Sequence, residues 1–189
     1  GQTVGGATAS LAVTYTGVIE PPEEHLVINE LMYHSDVPDA EFVELHSTAT
    51  STAYDLSDWR INGLDCTIPQ GTILEPGGFA VFVQDTDVFS RTYGLSIPVA
   101  GTFEGRFDRG GETISLIQPG SVPEQDVIID QVTFDDDPPW PAAADGSGPS
   151  LQLIDPQQDN NRVANWAASE IISNPPPPQV LLTWADVWR

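Results

Sequence analysis

Short apolar segments punctuated by turn-forming residues leave this chain little room for anything but β structure. Leu26–Tyr33, Glu41–His46, Phe79–Gln84, Thr113–Gln118, Asp126–Phe134 and Ser150–Ile154 are rich in Val, Ile, Leu and aromatic residues. Between them lie Pro69–Gly71, Glu75–Gly78, Gly110–Gly111 and the long Asp135–Ser150 stretch, where Gly, Pro and Asp favour turns and resist strand continuation. About eight segments of roughly four to eight residues emerge, and no convincing amphipathic helix does. Thr86–Gly105 is the stretch best suited to a short helix or an irregular loop. The pattern predicts an all-β fold, an immunoglobulin-like β-sandwich with short flanking strand and linker segments. The Cys–Trp–Cys signature of antibody domains is missing, since Cys66 is the single cysteine. Set between Leu64 and Ile68, its thiol reads as a small buried hydrophobe.

Leu26–His46 is the segment around which the rest is organised. It reads as a hairpin whose turn is centred near Val37, with Leu31 facing Val43 and Glu30 facing Glu44. Like charges directly opposite are destabilising unless a cation, an arginine or hydrogen-bond donors sit between them. A shift of two residues in register keeps both on the same face.

The ends read differently from the centre. Residues 1–24 open Gly-rich, then Leu11, Val13 and Tyr15 alternate with small or polar residues as one strand, and Glu20–Glu24 reads as a linker. That strand is either the close of a preceding domain or an added edge strand. The core domain is expected over residues 25–170. Residues 171–189 hold a polyproline spacer and then the apolar tail VLLTWADVWR. Starting at Gly1, the sequence reads as a piece cut from a longer protein, so other domains of the same parent chain are its expected neighbours.

Charge narrows the partners. The net charge is −22, and all six basic residues are arginines. A surface this acidic argues against nucleic acid, whose binding releases counterions from phosphates to a basic face, and against anionic membranes. No run of about 18 apolar residues is present to insert into a bilayer.

The ordered blocks LVINELMY, EFVELHS, YDLSDWRI, IPQGTILEPGGFAVFV, GGETISLIQ, VIIDQVTF, PPWPAAADGSGPSLQLIDP and NWAAS together resemble the lamin tail domain, over about residues 25–170. More narrowly, they look like its prokaryotic form in large secreted and surface proteins. The resemblance implies an immunoglobulin-like sandwich that serves as an accessory module beside other domains, with no chemistry of its own. In animal lamins the domain is linked to nuclear partners and chromatin; the acidic charge here sets it apart from DNA binding.

Candidate sites follow from the carboxylates and tryptophans. Glu30, Glu41 and Glu44 with Asn29 could hold a calcium ion, which takes about six to eight oxygen ligands. The structural alternative has the same glutamates accepting backbone or arginine donors, with Arg60 one such partner. Asp135, Asp136, Asp137, Asp145, Asp155, Asp159, Asn160 and Asn161 form a second oxygen-rich set, yet EF-hand spacing is absent and a solvated acidic loop accounts for them as well. Trp140, Trp184 and Trp188 are candidates for contact with a partner, with anchoring against the sandwich edge the other reading for Trp140. Trp59 and Trp166 read as packing residues. His25, His34 and His46 lack metal-ligand spacing, no G-x-S-x-G occurs, and acidic pairs carry little information in so acidic a chain. The expectation is therefore a non-catalytic extracellular or cell-surface module acting as spacer or in protein or glycan adhesion. A calcium-dependent binding module is the alternative, and an enzyme using an acidic cluster a remote third.

Overall fold

Alternation of apolar and polar residues resolves into two packed sheets in the computed structural model, which describes Val18 and residues 20–169. The chain runs from a helical turn α1 (Pro22–His25) into β1 (Leu26–Met32), β2 (Phe42–Ser47), β3 (Tyr54–Asp55), β4 (Arg60–Asn62), β5 (Cys66–Thr67), β6 (Ile73–Leu74) and β7 (Phe79–Val83). Helix α2 (Thr86–Tyr93) follows, then β8 (Val99–Thr102), β9 (Thr113–Gln118), β10 (Val127–Thr133), β11 (Leu151–Leu153) and β12 (Trp166–Ala168). Twelve strands among the described residues exceed the expected number because turns at Asn62–Asp65 and elsewhere cut segments into pieces of two or three residues.

One sheet has the order β12-β11-β1-β2-β7-β8, the other β10-β9-β4-β5, and β3 with β6 makes a small third. Leu31, Val43, Leu45 and Phe82 from the first sheet meet Ile61, Leu116, Ile129 and Val132 from the second in one buried core that also takes in Cys66, Trp59 and Trp166. At about 25 cal/mol per Å² of apolar surface, this burial is the main favourable contribution to folding. The pair β7–β8 is parallel, and α2 lies in the crossover between them.

The hairpin register is the one the sequence predicts: Leu31 is opposite Val43 and Glu30 opposite Glu44. A β-bulge at Asn29 then shifts the pairing, so that Ile28 faces Leu45. The extra residue reconciles the sequence with the core, because Leu26 and Ile28 before the bulge and Leu31 and Tyr33 after it are all buried. β10 has a similar irregularity between Ile128 and Asp130. Asp130 reaches across the two sheets, and its Oδ2 accepts from the backbone N–H of Ile28 at 2.6 Å and from Asn160 Nδ2 at 2.7 Å.

Glu20 lies in the stretch expected to be a linker. Its carboxylate accepts from the N–H and hydroxyl groups of both Thr50 and Ser51 at 2.8–3.1 Å, and its carbonyl accepts from Tyr54 Oη. Glu20 is thereby tied to the sandwich, and these donors hold its carboxyl well below the usual range. The expected strand around Leu11–Tyr15, the polyproline segment and the apolar tail lie outside the described residues.

Candidate binding groove

The outward-facing residues of the larger sheet follow from strand parity. With Val43 and Leu45 turned to the core, Phe42, Glu44 and His46 fall on the opposite face, and the bulge adds Asn29 beside Glu30. Pairing across four strands aligns Gln152, Glu30, Glu44 and Val81 in one row, with His46 opposite Phe79 to one side and Met32–Phe42–Val83 to the other.

Helix α2 covers the Met32–Phe42–Val83 end of this face. Asp85 caps it by accepting from Val88 N–H at 2.9 Å, and Gly94 ends it. Phe89 and Tyr93 pack on Phe42 with ring centroids 5.5 and 5.3 Å apart, over Met32, Val81 and Val83. What α2 leaves open is a groove in two compartments. One, of about 560 Å³, lies between α2 and the Ser147–Ser150 loop; the other, of about 440 Å³, lies over Asn29, His46, Phe79 and Gln152. Glu30 and Glu44 line both.

The two glutamates are held by neutral donors. Ser150, itself buried and 2.8 Å from Ser169 Oγ, donates a hydrogen bond to Glu30. Asn29 Nδ2 donates to Glu44 Oε1 at 2.9 Å. No arginine pairs with either among the described residues. Arg60, expected as a partner, sits on the other sheet and pairs with Asp126. Burial raises the pKa of Glu30 despite the Ser150 bond, and the charge of Glu44 raises it further; burial likewise raises that of Glu44 against the Asn29 bond. Next to them His46 donates through Nδ1 to the Gly78 carbonyl at 3.0 Å, and its ring stacks on Phe79 with centroids 4.2 Å apart and 15° between planes. Phe79 is 56% exposed.

The other candidates are not brought to this place. Glu41, of opposite parity to Glu44, is buried and faces Arg109, 3.6 Å away. Asp135, Asp136 and Asp137 stay together on one loop, where Asp135 accepts from the backbone of Asp137. Asp145 pairs with His34 at 2.6 Å, and Gly146 at φ +67° leaves room for that ring, since a Cβ there would lie 2.8 Å from it. Asp155 is occupied with the N–H of Gln157 and the amide of Gln158, Asp159 with the N–H of Asn161, and Asn160 with Asp130. Trp140 packs against the core, its ring 6.3 Å from that of Trp166. Trp184 and Trp188 lie outside the described residues. Sequence reading missed Phe79 and Asp130: the first looks like any strand aromatic until its parity is known, while the second is signalled by a carboxylate inside the apolar run VIIDQVTF.

Among the described residues no helix is long and apolar enough to cross a membrane. No curated protein and no solved structure matches the chain. A family model for the lamin tail domain does, over residues 20–136, beginning at the Glu20 anchor and running through β10. That match covers more than half of the sequence and agrees with the two-sheet architecture, so the chain belongs to the lamin tail domain family.

Proposed function

We propose that this β-sandwich is a non-catalytic binding module of a larger extracellular or cell-surface protein, one that meets a protein or glycan partner through the groove and spaces its neighbouring domains. The observation that carries the reading is the groove itself: an open concavity on an ordered sheet, with an exposed aromatic ring beside fixed polar groups. Ser150 is bonded to Glu30 and His46 Nδ1 to Gly78, which fixes the polar groups beside the ring. The acidic surface suits a saline exterior and supports that setting.

The test is a screen of glycan and peptide arrays with the wild type and with Phe79→Ala. Ligands lost in the variant support the reading. Binding that is indifferent to Phe79, or turnover of a glycoside that Glu30→Gln abolishes, overturns it. Calcium is a second reading, favoured by the direct opposition of Glu30 and Glu44, which only neutral donors offset among the described residues. A melt after EDTA treatment, repeated with calcium and with magnesium, checks it. A rise with calcium alone, absent in Glu44→Gln, is the outcome it requires.

A further inference from the structure

We propose that the groove takes an arginine side chain from a basic segment of a partner protein, its guanidinium seated between Glu30 and Glu44. The proposal rests on the binding-module reading and names the chemistry of the occupant.

Charge complementarity points there first. Three carboxylates, Glu30, Glu44 and Asp36, line the two compartments, and no arginine among the described residues does. The chain has no lysine and a net charge of −22, so a basic segment is drawn toward it from a distance. The floor of the groove then selects locally. Glu30 and Glu44 stand directly opposite on neighbouring strands, where like charges repel; each has one described neutral donor, which offsets part of the repulsion and brings no positive charge. A guanidinium carries donors in a planar fork that suits two carboxylates at once.

The neighbouring shelf favours arginine over a compact cation. Phe79, stacked on His46, presents an exposed ring at the edge of the same compartment, and guanidinium planes stack on aromatic faces. Calcium would ask for about six to eight oxygens. The pair offers two carboxylates, and the one cluster of three metal-suited side chains among the described residues is Asp135–Asp137, elsewhere on the surface.

The experiment is an NMR titration of the whole chain with acetyl-Gly-Gly-Arg-Gly-Gly-amide at about 0.15 M salt, where distant surface charge is largely screened. Its citrulline counterpart, which keeps the shape and removes the charge, serves as control. Expected are shifts at Asn29, Glu30, Glu44 and Gln152 with the arginine peptide alone, affinity reduced about tenfold or more in Glu30→Gln and in Glu44→Gln, and no loss in Asp135→Asn/Asp137→Asn. Equal binding of the citrulline peptide, equal weakening by the Asp135/Asp137 changes, or no shift at the groove overturns the proposal. So does calcium chloride alone moving the same resonances with loss in Glu30→Gln, which would put a divalent ion there instead. A glycan or neutral peptide that needs Phe79, with the arginine peptide silent, would remove the guanidinium and leave the binding module standing. Silence of every ligand class at the groove would remove both.

Discussion

Glu20 and Glu30 show how burial and donors drive two carboxylates of one small domain in opposite directions. Glu20 collects four donors and keeps its charge at low pH, whereas Glu30 has one donor, burial and a like charge opposite. From the ordinary glutamate value of 4.5 up to the raised values of Glu30 and Glu44, the folded state holds more protons than the unfolded one, so stability falls as pH rises through that window. Glu41, Glu112 and Asp130 are raised by burial too and lean the same way. Below 4.5 the lowered value of Glu20 makes the folded state hold fewer protons, and stability falls as pH drops. Melting temperature is therefore expected to peak in mildly acidic buffer. Glu30→Gln/Glu44→Gln should flatten the limb above the peak and raise stability at pH about 7 by roughly 0.2–1 kcal/mol, as relief of a cross-strand like-charge pair. Glu20→Gln should lower the melting temperature at neutral pH and flatten the acidic limb. A melt series over pH on the three proteins decides; a variant limb as steep as that of the wild type would refute the assignment.

At the scale of elements, one bulged strand and one short helix shape the groove, and a second irregular strand braces the bulge. The bulge in β1 puts Asn29 and Glu30 together on the outer face, and Asp130 from β10 catches the Ile28 N–H next to it. Removing that carboxylate leaves a backbone donor and Asn160 unpaired, so Asp130→Ala is expected to cost about 2–3 kcal/mol in chemical denaturation. Amide exchange at Ile28 should speed with it. Helix α2 depends on its cap. Asp85→Ala should cost about 1 kcal/mol and loosen α2 from Phe42 and Val83 without unfolding the sandwich. Exchange protection lost in Thr86–Tyr93 but kept in β2 would be its signature; global loss would show that α2 is integral to the core.

For the whole molecule, charge sets the terms. Six arginines face 28 acidic residues, and the ion pairs among described residues involve Arg60, Arg106, Arg109 and His34. Self-repulsion should dominate over these few pairs, so sodium chloride raised from about 0.01 to 0.5 M is expected to raise the melting temperature. A fall would mean that the ion pairs outweigh the repulsion. Much of this molecule was legible in its sequence. Strand content, sandwich class and the Glu30–Glu44 opposition follow from side-chain alternation and turn chemistry, which are local and have a period of two, and the family from the resemblance carried by the ordered sequence blocks. The bulge at Asn29, the shelf of Phe79 on His46, the cover provided by α2 and the exchange of Arg60 from the glutamates to Asp126 depend on which strands neighbour one another. Local pattern says only that a residue faces one side of a sheet. What lies across that side is decided by long-range strand order and crossover, and these brought Glu30, Glu44 and Phe79 to one groove while leaving Asp145 and Asp155 elsewhere.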